Sequence, residues 1–422
     1  MEIGLHYPPM AGSPAEIRAG MAGQRTDLYQ RMLKNLVEQA QYVDENGYYG
    51  FGFSEHHLNV EGITVSNNPA MLDLYIAMHT KHINVGQLGF VLPAHDPLRV
   101  ASDIAVLDQM SQGRAYAGFV RGIQERWLNT FGQHYSPALA DNVTDRDAHM
   151  RARTELFAED YAIIRKALAT DTFSYKGKYW QIPAPRLKWS GANVTRESGK
   201  GVDADGRLRE VGIAPRCYNN RTPTFFEPFA ISTQQSQEAA ARGSVPIITS
   251  IDPPLVQKYL RMAQEGWARG GRTTRLGEGV GLVRYVLVAD SDAEADELAA
   301  DYVFEWVYWF SNWGFNAVLA REGEDPASVP NGAKCLIDTG MLIHGSPSTV
   351  CRKIEALLRY APVEYFWLFM QNESIPQARL MRSIELMTTK VWPNFTDTIG
   401  RPRPLANRVS KVAPGREAAS NL

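Results

Sequence analysis

The chain has 422 residues, 44% of them hydrophobic and 21% charged, with a formal net charge of −2. That profile is one of a globular protein with a substantial core, long enough for one large barrel with insertions or for two ordinary domains. The near-zero charge excludes a whole-molecule field that would draw it to nucleic acid or an anionic membrane.

The clearest β-rich runs, in chain order, are 3–6, 49–54, 83–92, 115–120, 229–232, 245–250, 281–289 and 363–369. Helical patterns lie between them at 28–46, 69–81, 97–111, 152–169, 235–242, 254–269, 293–310, 346–359 and 376–391. Several open on a cap followed by proline, as in Asp96-Pro97, Asn68-Pro69 and Ser346-Pro347. Strand–helix alternation predicts a parallel sheet with helices outside it, and eight strands with eight or more helices fit a closed (β/α)8 barrel of the TIM type. An open doubly wound sheet is the structural alternative.

Two connections are too long for plain barrel loops. One runs from Arg121 to about Pro228 around the helix 152–169, and the other includes the turn-rich piece Arg321–Gly332. The expected organisation is a single barrel domain over 1–395 with insertions at about 122–153, 171–226 and 311–340, then a C-terminal extension over 396–422. Cys217, Cys335 and Cys351 are scattered and odd in number, which argues against a disulfide framework. The opening MEIGLHYPP has no basic n-region, and no run of about 18 apolar residues occurs, so a cytoplasmic protein is expected.

In a barrel of this kind the chemistry sits at the carboxyl ends of the strands. Strand two ends Ser54-Glu55-His56-His57; alternation puts Gly50, Gly52, Ser54 and His56 on one face and Phe51, Phe53 and Glu55 on the other. The bulky aromatics suit the helix-facing side, which leaves Ser54 and His56 at the barrel mouth. Adjacent histidines on a strand point oppositely, so the pair makes a poor metal site and no metal is expected. Strand four ends Val120-Arg121-Gly122. A guanidinium there can bind a phosphate through paired donors, or form a salt bridge across the barrel top. After strand five, Ser232, Thr233, Gln235 and Ser236 open a helix; they make an anion site beside free backbone N–H groups, or an ordinary N-cap. The aromatic run 304–315 places Trp306, Trp309, Phe310 and Trp313 on one helical face, which either packs on the barrel or walls a substrate site.

Together, Glu55-His56-His57, the run from Asn84 to Gly122 with LDQMSQGR and VRG at its core, residues 232–243, and Gly345–Val350 onward resemble the bacterial luciferase superfamily. Residues 49–122 are most similar to the luciferase catalytic subunit; 171–226 and the tail are not covered. The resemblance implies a two-component flavin-dependent monooxygenase in which reduced FMN and O2 form a C4a-peroxide that oxygenates a small organic substrate. A separate NAD(P)H:flavin reductase and a homodimer joined through the helices 69–81 and 97–111 go with it. It further implies His56 as the active-site base, Arg121, Ser232, Gln235 and Ser236 at the flavin phosphate, and a cis peptide at Leu88-Gly89 beneath the isoalloxazine. The sequence departs from that pattern at Val120, Ile231 and Gln235, where the luciferase subunit has cysteine, glutamate and threonine; this puts light emission and a long-chain aldehyde substrate in doubt. Two other readings stand beside it: an F420-dependent oxidoreductase of the same superfamily, and a non-catalytic flavin-binding barrel. The absence of a Gly-x-Gly-x-x-Gly after a strand, and of a Gly-Lys-Ser/Thr loop, argues against a Rossmann dehydrogenase or a P-loop enzyme.

Overall fold

The structure is a computed structural model that describes residues 1–230, 232–370 and 372–395. The strands among them are β1 (Glu2–Tyr7), β2 (Gly50–Phe53), β3 (Asn84–Val91), β4 (Ala115–Val120), β5 (Tyr175–Lys176), β6 (Gln181–Ile182), β7 (Thr224–Ala230), β8 (Val245–Ile248), β9 (Gly281–Val288), β10 (Leu342–Gly345) and β11 (Tyr365–Phe369). β5 and β6 form a separate antiparallel ribbon. The parallel sheet runs β1-β2-β3-β4-β7-β8-β9-β11 and returns to β1, where Glu2 to His6 pair with Tyr365 to Phe369. This is a closed eight-stranded (β/α)8 barrel, and β10 is a ninth strand paired with the last four residues of β9.

The helices form where the caps predict. Asp96 accepts from the N–H groups of Leu98 and Arg99, Pro97 fills the first turn, and Val100, Ala101, Ile104 and Ala105 bury the face turned to the barrel. The LDQMSQGR segment after it is an architectural lock. Asp108 accepts from the N–H of Tyr218 at 2.9 Å and from the Arg221 side chain, which fastens the long insertion to this helix. Arg114 donates to the carbonyls of Ala77 and Ile83, both at 2.8 Å, satisfying groups at the end of the preceding βα unit.

The lower barrel is filled by rings. Trp367, Tyr116 and Phe226 meet in its axis with centroids 5.5–5.7 Å apart. Gly50 makes room for them, since a Cβ there would lie 2.8 Å from the Trp367 ring. The plug closes the amino end of the barrel, so the open space lies at the carboxyl ends of the strands.

Three differences from the sequence reading bear on the barrel and the mouth of the cavity. The fifth barrel strand spans Thr224–Ala230 rather than 229–232, and Ser232 caps the next helix. Pro223 and Pro228 make the segment look like loop, yet Phe225 and Phe226 are buried, and the register shift between Pro228 and Ala230 accommodates the proline. The helix expected over 293–310 breaks into Asp292–Tyr302, Phe304–Tyr308 and a 3₁₀ turn Phe310–Trp313. β10 was not expected; four residues carry too little period to be read. Ile231 and the extension 396–422 lie outside the described residues. No helix among the described residues is long and apolar enough to cross a membrane.

Candidate active site

A cavity of about 450 Å³ opens where β2, β3, β4, β7, β9 and β11 end. His56, Leu88, Gly89, Arg121 and Gln235 line it, and Ser232 and Ser236 do not. The hydroxyl of Ser232 accepts from the N–H of Gln235 at 3.2 Å as the cap of the helix Thr233–Ala241. Ser236 is fully buried and its hydroxyl donates to the carbonyl of Tyr259 at 3.4 Å.

The Leu88–Gly89 peptide bond is cis, as the resemblance implied. The β3–β4 register breaks between Gln87 and Phe90 at this point. A side chain at position 89 would put its Cβ 2.6 Å from the N of Phe119, so only glycine lets the two strands approach so closely.

One part of the cavity is cationic. Arg121, at the end of β4, shares it with Arg153, which reaches in from the helix Arg146–Ala169. The Nε of each is buried without a hydrogen-bond partner, and among the described residues neither guanidinium is in an ion pair. Arg121 lies over the Phe157 ring at 5.2 Å. Burial lowers the pKa of both, and the charge of Arg121 lowers that of Arg153 further. Glu227, on the same wall, is taken by Arg242 at 2.7 Å. Glu227 acts on Arg121 and Glu125 on Arg153 through space, but neither is in an ion pair with them among the described residues, so two cations in one cavity form a setting for an anion. Sequence reasoning missed Arg153 because nothing in the helical pattern around it distinguishes an inward arginine from an exposed one.

A second part holds the histidine. Ser54 and His56 both line the cavity, as alternation predicts, while Phe51 and Phe53 pack with Tyr7 on the other side, 4.8 and 6.4 Å away. Burial pulls the His56 imidazole down to about 4, against an upward pull from the Gln124 side chain. The ring is therefore neutral at pH 7, a base rather than the group titrating near neutrality that an unperturbed histidine would be. Below it, His6 is buried with neither ring nitrogen hydrogen-bonded, and burial pulls it down to about 3.

Glu55 also borders the cavity, but its side chain is fully buried, and His57 is outside the lining. The fully buried Glu55 carboxylate accepts from His57 Nε2 at 2.6 Å, from His95 Nε2 at 2.5 Å and from the Val91 N–H at 2.7 Å. Three ligand-type atoms thus lie within 4.8 Å of one another, but the carboxylate is already engaged by both rings at hydrogen-bond length. Burial alone would raise Glu55; His95 and His57 beside it hold it well below the usual carboxylate range. Burial also works against charge on His95, yet Glu55 leaves it above its ordinary value.

The third part is apolar. Trp306, Phe310, Trp313 and Phe315 line it from one segment, facing Phe229 and Phe369 on the strand ends. Phe310 bridges the parts, 6.1 Å from both His56 and Phe369. The break in the expected helix turns these rings inward, while Trp309 stays outside the lining and packs edge-on against Trp313 at 4.9 Å.

Fold and site together define a β/α-barrel protein with a cavity, cationic in one part and aromatic in another, at the strands' carboxyl ends. The model of the family described as luciferase-like monooxygenase matches residues 15–364, and the chain belongs to that family. It is 24% identical over 407 residues to 3,6-diketocamphane 1,6-monooxygenase of Pseudomonas putida, covering 94% of this chain and 98% of that one. Among solved structures it resembles the oxygenating constituent of 3,6-diketocamphane monooxygenase from Pseudomonas putida, a type II Baeyer–Villiger monooxygenase in complex with FMN. There the TM-score is 0.69 at 22% identity, over 93% of this chain and 98% of that chain. It also resembles an F420-dependent secondary alcohol dehydrogenase, with a TM-score of 0.59 at 12% identity over 92% of this chain and 98% of that one.

Proposed function

We propose that the chain is the oxygenating component of a two-component monooxygenase that uses reduced FMN and O2 to oxygenate a small organic substrate. The observation that carries this reading is the placement of two guanidiniums that are in no ion pair among the described residues, Arg121 and Arg153, in the same cavity as the half-buried His56 imidazole, whose pKa is pulled down to about 4. FMN, when bound, supplies the activation of dioxygen.

In this reading Arg121 and Arg153 hold the flavin phosphate and Gln235 borders the same ligand. Ser232 and Ser236 serve by fixing the first turn of the Thr233–Ala241 helix, through the bonds to the Gln235 N–H and the Tyr259 carbonyl. Leu88 and Gly89 offer a wall of backbone to a flat ring. The aromatic segment 306–315 excludes water and favours an uncharged, apolar substrate. The His56 imidazole, neutral in the resting protein, takes a proton during oxygenation. A separate NAD(P)H:flavin reductase, a homodimer, a single domain over 1–395 and a cytoplasmic location belong to the same proposal.

The test supplies chemically reduced FMN and ¹⁸O-labelled dioxygen to the protein with cyclohexanone, decanal and indole, and analyses products by mass spectrometry. A product carrying one labelled atom supports the reading; absence of label in every product overturns it. The likeness to the F420-dependent dehydrogenase favours a second reading, hydride transfer from a deazaflavin. Oxidation of reduced F420 by the protein with acetone, without oxygen uptake, would select it. A non-catalytic barrel would turn over neither, and the presence of His56 in the cavity speaks against it.

A further inference from the structure

The Glu55 carboxylate sits one residue before His56 in the chain and is fully buried against three donors. Two come from outside its own strand. The Val91 N–H is the last of β3, and His95 lies in the loop beyond it, so the carboxylate ties the end of β2 to the end of β3. The third donor is His57, one residue after His56.

Both histidine donors are held in turn. The His57 ring packs against Trp127 at 4.8 Å and edge-on to Phe131 at 5.1 Å, and the His95 ring is edge-on to Phe90 at 6.2 Å. Trp127 then donates its Nε1–H to Gln124 Oε1 at 2.9 Å, and the Gln124 side chain and the Glu55 charge both pull against burial on His56. The clamp therefore reaches His56 twice, through the backbone on either side of it and through the chain of contacts His57, Trp127, Gln124.

We infer that Glu55 is a positioning residue: by gathering Val91, His57 and His95 it locks the end of β2 to the end of β3 and so fixes the His56 imidazole in the cavity. The inference rests on the reading of His56 as the base of the proposed oxygenation. Beyond the ladder the backbone here is held by the Ser54 N–H on the Tyr7 carbonyl at 3.0 Å and the His56 N–H on the Ser66 carbonyl at 3.3 Å, and a carboxylate with three short donors adds a side-chain tie to them. Misplacement of a catalytic group by about 1 Å can cost on the order of 100-fold in rate, so the clamp's effect falls on turnover rather than on cofactor affinity.

The experiment compares the full-length protein with Glu55→Ala and with Glu55→Gln, which keeps the shape and one acceptor. Histidine-selective ¹⁵N labelling of the cofactor-free protein should show two downfield, exchange-protected Nε2–H signals, assigned by His57→Gln and His95→Gln, both lost in Glu55→Ala. With reduced FMN, oxygen and whichever of cyclohexanone, decanal or indole is turned over, kcat should fall about 100-fold in Glu55→Ala and by a smaller factor in Glu55→Gln. KM for reduced FMN should change less than about threefold in both, as expected where no cofactor contact is lost. Should Glu55→Ala fail to fold, Glu55→Gln carries the same comparison with a smaller fall. Loss of the histidine signals with kcat unchanged, or a fall confined to FMN affinity, overturns the inference. Absence of the two signals from the wild-type protein overturns it too. A wild-type protein that shows the signals and oxygenates nothing sinks the functional reading, and Glu55 is then a structural clamp with no catalytic group to position.

Discussion

Arg121 lies close enough to Arg153 to lower its pKa, although the two come from different elements, the end of β4 and the helix Arg146–Ala169. Like charges brought together with no carboxylate ion-paired to either among the described residues reward an anion that enters the cavity. Charge-assisted hydrogen bonds are worth roughly 1.5–3 kcal/mol each, so Arg121→Ala and Arg153→Ala should each weaken reduced-FMN binding by about tenfold or more. Arg121→Lys should recover only part of this, because an ammonium lacks the paired donors. Anaerobic titration of flavin fluorescence measures the affinities, and an unchanged Kd in both alanine variants would remove the phosphate from this wall.

His56→Ala should cost about 10²–10⁴ in product formation, the span typical of losing a general acid or base. Its neutral state sets the direction of the pH effect. Because burial holds the imidazole near 4, the base form is complete at pH 7, and activity through this group should fall only as the pH drops toward that value. Rates measured from pH 4.5 to 8 in wild type and variant test this; an acid limb centred near 6.5 in the wild type would mean the ring is not desolvated during turnover.

His6 makes the fold acid-sensitive. Its pKa is about 3 in the folded barrel and near 6.5 in an unfolded chain, so between those values the unfolded chain binds the proton and the barrel refuses it. The contribution is complete above pH 6.5 and is lost as the pH falls toward 3, at up to roughly 1.4 kcal/mol per pH unit. His6→Leu removes the titrating group. Denaturant midpoints taken at pH 7 and pH 5 should therefore differ less in the variant than in the wild type; equal differences would show that His6 has a hydrogen-bond partner in solution.

The helix Pro69–His79 keeps a stripe of apolar side chains in water on its outer side: Met71 is 66% exposed, Met78 67%, and Tyr75 lies between them. Val106 and Met110 extend the exposed surface on the helix Pro97–Met110. The long insertion fastens to the second helix at Asp108 but leaves these side chains open. An apolar stripe across two helices suits a second copy of the chain. Light scattering at micromolar concentration should give twice the chain mass, and Met71→Glu with Met78→Glu should halve it. A monomeric wild type would refute the dimer.

Local chemistry made much of this protein legible in its sequence. The alternation of short apolar runs with capped helices determined a β/α barrel, and a period of two at the end of β2 put Ser54 and His56 on the cavity side. Proline hid most of β7, whose burial depends on neighbours in the sheet rather than on its own pattern. The aromatic run was visible too, but a helix drawn on it placed Trp309 with the others; the break after Tyr308 separates it from the lining.

Closure of the barrel decided the rest. Arg153 joins Arg121, His95 meets Glu55 across 40 positions of chain, and Gln124 comes to His56, none of which any local period records. Burial is the other quantity that only the tertiary structure decides. An isolated histidine titrates near 6.5, and it is desolvation inside the closed sheet that makes His56 a neutral base and leaves His6 without a proton. Spacing along the chain determines which side a residue faces, whereas the dielectric around it and the partner opposite depend on segments far away in sequence.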